Sequence, residues 1–236
     1  PHAIHGFGRS SQWNIERPTV DTLRFNHKHD DPQSGFVYVA WQEFKVTDVD
    51  VTVEIGVRHL GRTPMPYGIG LHPWFPGGDD VSVAFIASDS FATDEDMLPT
   101  ARTVIDLGRD FSDGRMIRHN LALDAHYAGW HLEADMVWQD AGYSVKMIAS
   151  DSLSNVQFYI PEDGKTFCVE PVSHVPNVHN RPEFKEHGDL VVLDKNQTLS
   201  GTMTLVPSLL ELPDSGLVDD DEVVGIPGNR DYSLVD

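Results

Sequence analysis

The chain reads as an all-β protein, a large antiparallel β-sandwich with few short helices. Three observations predict this. Apolar residues recur mainly with a period of two, in runs rich in β-branched and aromatic side chains. Asp-Pro, Pro-Gly-Gly, Asp-Ala-Gly and Glu-Asp-Gly punctuate those runs as turns. No long stretch carries the three-to-four-residue apolar spacing of an amphipathic helix. A length of 236 residues suits one large all-β domain and can bury a sizeable core.

The strands are expected in order. FVYVAWQEFKV (36–46) and VDVTVEIGVRH (49–59) come first, then VSVAFIAS (81–88), HLEADMVW (131–138) and YSVKMIAS (143–150). NVQFYIP (155–161), DLVVL (189–193) and TMTLVP (202–207) follow. Short helices are expected near 94–98 and 181–187. The polar stretch NHKHDDPQSG, just ahead of residue 36, reads as a loop. The sandwich is placed over residues 1–212. Residues 213–236, rich in Gly, Pro and Asp, read as an acidic C-terminal extension in which Asp219, Asp220, Asp221 and Glu222 form a solvated run.

Composition excludes several partners. The chain holds 17 Lys and Arg against 37 Asp and Glu, a formal net charge of −20. Nucleic acid and anionic membrane surfaces both call for a basic face, so neither is expected as a partner. No apolar run approaches the length of a membrane span. Cys168 is the single cysteine, which rules out an intramolecular disulfide and favours a reducing, cytoplasmic setting.

Four stretches interrupt the alternation with chemically able groups. HAIHGFGR offers His5 and Arg9, with Trp13 shortly after. PYGIGLHPWF offers His72 and Trp74 behind Gly68 and Gly70, which suit a tight bend. LALDAHYAGW offers Asp124, His126 and Trp130. TFCVEPVSHVPNVHN runs an apolar strand, Phe167 to Val169, into Glu170 and Pro171. Each has a plain structural reading: a core histidine, an Asx turn, core tryptophans, a solvated strand end. Together they supply what a carbohydrate site needs. Aromatic faces take the C–H side of a sugar, and charged groups take its hydroxyls. A glutamate and a histidine in one pocket can serve as base and acid.

Other chemistries have less support. Gly-x-Ser-x-Gly is absent and Cys168 lies in an apolar strand, which disfavours nucleophilic hydrolysis. His27-Lys28-His29 is a weak start for a metal site, and no metal is expected there. Gly68-Ile-Gly70 lacks the third glycine and the helix of a dinucleotide loop. Asp124 and Glu170 remain a minor glycosidase pair.

In this order, HGFGR with Trp13, GIGLHPWF, LDAHYAGW and FCVEPVSHVPNVHN resemble the aldose 1-epimerases, the galactose-mutarotase-like family. The resemblance spans about residues 1–207 and is greatest to the bacterial branch with a His-Pro-aromatic-Phe segment. It implies a supersandwich with a sugar cleft on one sheet and a cofactor-free exchange of α and β anomers of a free aldose such as glucose or galactose. By the same resemblance Glu170 is the general base and His72 the general acid. The resemblance also matches His5, Arg9 and Asp124 to substrate-binding positions; Trp74 is expected to add an aromatic face for the sugar, and His174, Asn177 and Asn180 read as rim or loop-shaping residues. That chemistry asks for a glutamate raised by partial desolvation and a histidine held protonated beside carboxylates.

Family members carry further strands ahead of the first histidine motif, so the N-terminal strands are expected to be missing here. An edge left unpaired could be covered by a second copy in a homodimer. Two other functions stay open. One is a non-catalytic sugar-binding or sensing module on the same fold. The other is a hexose-6-phosphate epimerase, which would need a basic cluster that the motifs do not supply.

Overall fold

The computed structural model describes residues 5–31, 33–118 and 121–211. The expected C-terminal extension, with its acidic run, lies outside them. The first strands are β1 (Asn14–Glu16), β2 (Thr22–Asp31), β3 (Phe36–Val46), β4 (Val51–His59) and β5 (Met65–Tyr67). Then come β6 (Trp74–Pro76), β7 (Val81–Phe85), β8 (Asp89–Thr93), β9 (Pro99–Thr103) and β10 (Arg115–Met116). The rest are β11 (Leu123–Ala128), β12 (Glu133–Trp138), β13 (Tyr143–Ala149), β14 (Asn155–Ile160), β15 (Thr166–Val172), β16 (Val191–Leu193) and β17 (Thr198–Leu209). Only 3₁₀ turns accompany them among the described residues, at Phe7–Ser10, Val178–Asn180 and Pro182–His187. No helix there is long and apolar enough to cross a membrane.

Two antiparallel sheets face each other. The larger runs β1-β2-β3-β4-β17-β13-β12-β7-β10, and the smaller β6-β15-β14-β11-β8-β9. A third, two-stranded sheet pairs β16 with β5. The period of two decides which side chains meet between the large sheets. From the smaller sheet come Tyr127, Val156, Phe158, Ile160, Phe167 and Val169; from the larger, Val81, Val83, Phe85, Met136 and Met147. Phe158 is fully buried and sits edge-on to Phe85 and Phe111. Each such ring contributes about 1.5–3 kcal/mol by leaving water.

Three local expectations are corrected. The stretch taken as a loop ahead of residue 36 belongs largely to β2, paired with β3 from Thr22↔Lys45 to Asp31↔Phe36. Its histidines hide the alternation. His29 stacks on Phe7 at 4.1 Å and on Tyr38 at 5.1 Å, and His27 packs near Trp13, so rings that look polar in sequence behave as aromatic packing groups. Residues 94–98 form the turn of the β8–β9 hairpin, where the Asp94 carboxylate accepts from Asp96 N and Leu98 N. An Asx turn forms here in place of the expected short helix. The apolar strand does not stop at Glu170: β15 runs on through Pro171 to Val172.

The segment before β6 is laced antiparallel onto the end of β15. Leu71 N donates to Pro171 O (3.0 Å), Ser173 N to Ile69 O (2.9 Å) and Ile69 N to Ser173 Oγ (2.9 Å), with a bridge pairing Gly70 and Val172. Gly68 and Gly70 therefore do not make the expected bend, and neither has positive φ. They make room. A Cβ on Gly68 would lie 2.1 Å from the His174 ring, and one on Gly70 would lie 2.7 Å from Val172 Cγ1. Trp138 Nε1 donates to Pro76 O (2.9 Å), which ties β6 to the larger sheet.

Gly70→Ala should therefore lower the thermal midpoint, at a cost of about 1–3 kcal/mol from overpacking. Val172→Ala in the same chain removes the clashing methyl groups. A double-mutant cycle by thermal unfolding should return a favourable coupling of about 1–2 kcal/mol between the two positions. Simple additivity would mean that the close approach is not what Gly70 provides.

Candidate functional site

The site is written in the register of the smaller sheet. Side chains directly opposite on paired strands share a face and sit about 5 Å apart. Across β6, β15, β14 and β11 the pairs Trp74↔Cys168, Cys168↔Tyr159 and Tyr159↔Asp124 make one row. The next row is Glu170↔Gln157↔His126, and His72, two residues before Trp74, stands at its open end. Phe167 and Val169 face the core, so Cys168 and Glu170 face away from it. Asp124, for which an Asx turn was the plain alternative, is inside β11.

His72 Nε2 lies 3.3 Å from Glu170 Oε1. The imidazole stacks on Trp74, with ring centroids 5.3 Å apart and planes 15° apart, and His5 meets it edge-on at 5.2 Å. Trp74 keeps 55% of its surface exposed, an open aromatic face beside the pair. Tyr159 braces Trp74 edge-on at 6.0 Å across the fully buried Cys168. A thiol at that position is small enough for the two rings to meet over it. Asp124 accepts a hydrogen bond from Gln157 Nε2. Arg9, on the turn Phe7–Ser10, is exposed, and its charge lowers the pKa of both His5 and His72. The six expected site residues thus gather around one stretch of sheet and its flanking turn. Trp130 does not join them: it is buried and its Nε1 donates to Leu153 O.

Burial sets the electrostatics. Desolvation, with the Asp124 charge second, raises the Glu170 carboxyl to about 8. Desolvation also raises Asp124, opposed by its bond from Gln157 and by His72. Desolvation lowers His72, and the neighbouring His5 and Arg9 add to that. The raised glutamate agrees with expectation, but the protonated histidine does not. At 3.3 Å the two groups have the spacing of an ion pair, yet both shifts favour the neutral forms. The shifts favour a protonated Glu170 beside a neutral His72, chiefly because Glu170 is buried, whereas His72 keeps 33% of its side chain exposed. The Cys168 thiol is pushed up to about 12 by burial and by the Glu170 charge, so it is no nucleophile.

Donor atoms of His72, Cys168 and Glu170 all lie within 4.8 Å of one another, the group among the described residues that could take a metal ion. His27 and His29, a weak start for a metal site in sequence, are engaged in ring packing.

Sequence reasoning missed Gln157 and Tyr159, and named His126 without placing it beside them. All three sit on strand positions that alternation alone assigns to one face or the other. Their signal would have been the register with β15 and β11, which a single strand does not reveal. His174, Asn177 and Asn180 do shape the loop after β15. The His174 ring fills the space over Gly68, and Asn180 Nδ2 donates to Asn177 Oδ1, whose residue has φ of 60°.

Comparison with known proteins bears on the family and the fold. YphB of Escherichia coli K12, an uncharacterized protein, is 26% identical over 213 residues, covering 86% of this chain and 71% of its own. The crystal structure of a provisionally assigned aldose 1-epimerase from Escherichia coli K12 superposes with a TM-score of 0.80 at 25% identity, over 88% of this chain and 72% of that one. A galactose mutarotase-like protein from Clostridium acetobutylicum shares the fold at 15% identity, with a TM-score of 0.78 over 88% and 69% of the two chains. The family model for aldose 1-epimerase matches residues 1–206, and the chain belongs to that family.

Proposed function

We propose that the protein is an aldose 1-epimerase, a cofactor-independent isomerase that interconverts the α and β anomers of a free aldose such as glucose or galactose. The observation that carries this reading is the 3.3 Å pairing of His72 with Glu170 beside the exposed face of Trp74. The sugar's C–H face lies on Trp74, its hydroxyls reach Asp124, Arg9 and His5, and its C1 hydroxyl and ring oxygen meet the pair.

Ring opening needs one proton removed and one supplied. The proton leaves the C1 hydroxyl, the C1–O5 bond breaks, and the ring oxygen receives a proton as the C1 aldehyde forms. Rotation about C1–C2 turns the other carbonyl face to the oxygen, and closure reverses both transfers. The pair holds a single proton, so it always contains one acid and one base. With His72 protonated, Glu170 is the base; with Glu170 protonated, the roles exchange. The two forms differ only in where that proton sits, and the neutral one dominates at rest because of burial. A base seated inside β15 is well oriented, which general acid–base transfer requires.

Activity requires exactly one proton on the pair. Above about pH 8 Glu170 loses it and the acid is gone. Below the lowered pKa of His72 the second proton binds and the base is gone. A bell-shaped profile of kcat/KM is therefore expected, its alkaline limb near 8 and its acid limb below 6.5. Polarimetry on freshly dissolved α-glucose and α-galactose measures it. No acceleration over buffer with common aldoses would reject the enzyme reading, and saturable sugar binding without turnover would favour a sensing module.

Glu170→Gln should lower kcat by about 10²–10⁴-fold, the usual size of one positioned acid–base group. The same variant tests the burial argument. A carboxyl raised in the folded state contributes fully below its ordinary value of 4.5 and loses that contribution as pH climbs to about 8. The variant should therefore gain stability over the parent across that window, by a few kcal/mol at most, read from thermal midpoints at several pH values. A constant difference would mean that Glu170 is not held in its neutral form.

A further inference from the structure

Beneath the cleft runs a chain of hydrogen bonds that the proton chemistry does not use. Gln157 Nε2 donates to Asp124 Oδ1. Gln157 Oε1 lies 3.1 Å from His126 Nδ1, and His126 Nε2 lies 3.1 Å from Asn155 Oδ1. Asn155 Nδ2 continues to Ser154 Oγ at 3.1 Å. His126 is 3% exposed and Asn155 is fully buried. The order follows from sheet register: His126↔Gln157 and Ala128↔Asn155 are paired between β11 and β14.

Such a chain has a direction. A neutral imidazole has one N–H and one lone pair, and an amide has one donating and one accepting end. A charged imidazole is disfavoured, because the groups touching it are amides and burial lowers its pKa to about 4. Asp124 as a carboxylate accepts from Gln157 nitrogen, so Gln157 oxygen must accept from His126. The N–H then sits on Nδ1. The lone pair on Nε2 faces Asn155, whose amide nitrogen must turn to meet it while Ser154 Oγ donates to the freed oxygen. The opposite direction would place the N–H on Nε2, reverse Gln157 and require Asp124 to be protonated.

We propose that His126 is a positioning residue for Asp124: as its Nδ1–H tautomer it locks the orientation of Gln157, which holds the Asp124 carboxylate toward the cleft as an acceptor of sugar hydroxyls. His126 touches no substrate, and Gln157 transmits its effect. The kinetic consequence rests on the epimerase reading given above, whereas the tautomer does not.

Two measurements test it. Long-range ¹H–¹⁵N correlation on the ¹⁵N-labelled chain at neutral pH should show His126 protonated at Nδ1 and bare at Nε2. An Nε2–H tautomer or an imidazolium overturns the assignment, whether or not the protein turns over sugar. Next, His126→Asn places an amide nitrogen near the original Nδ1, while His126→Gln places its amide near Nε2. His126→Asn should keep KM for aldose within about threefold of the parent, and His126→Gln should raise it about tenfold or more with a smaller change in kcat. Equal KM values in the two folded variants would remove the positioning role, because a purely packing histidine would not discriminate between the two nitrogens.

Discussion

The cleft depends on one constraint, the antiparallel register of β15 with β14 and of β14 with β11. With Gln157 opposite Glu170 and Asp124 opposite Tyr159, every polar group of the site falls on the face away from the core. A slip of one residue would turn Glu170 into the sandwich and Val169 out of it. Phe167 and Val169 oppose that slip, because both are fully buried between the sheets. The lacing of residues 69–71 onto 171–173 extends the same register to His72. His72 and Glu170 are thus placed by backbone hydrogen bonds and core packing more than by contacts of their own.

The same arrangement places an ionisable group where it is poorly hydrated. Glu170 is 8% exposed, with Asp124 near enough to raise its pKa further. Burial of that kind weakens the fold at alkaline pH and favours a protonated carboxyl at neutral pH. The aromatic wall lessens the structural penalty. Trp74 and Tyr159 enclose the small Cys168, so the row beside Glu170 is tightly packed although its neighbours are polar.

Legibility followed periodicity. β3 matches FVYVAWQEFKV at both ends, because β-branched and aromatic residues dominate it from Phe36 to Val46. β2 was invisible, because His27 and His29 occupy inward positions and read as polar, while their rings pack against Phe7, Trp13 and Tyr38. The turn at 94–98 misled because its acidic residues suit a helix start and an Asx turn equally well. At the site, Glu170, His72, His5, Arg9, Asp124 and Trp74 stood out because each breaks an apolar pattern. Gln157 did not, and His126 was noted without a place among the site residues, since a glutamine or histidine within a strand carries no mark of what lies beside it.

Alternation, turn residues and the four ordered motifs thus identified an antiparallel sandwich, its family and the polar side chains that gather on one sheet face. Those properties are local, and a single strand or loop displays them. Distance, protonation and partnership are not local. That His72 stands 3.3 Å from Glu170 follows from pairing segments about a hundred residues apart. That the His72 pKa is lowered instead of raised follows from partial desolvation against the assembled sheet and from the His5 and Arg9 charges brought near it. That Gly68 and Gly70 serve as space and not as hinges follows from the side chains of His174 and Val172 folding over them. The tertiary structure decided these because each depends on groups far apart in the chain.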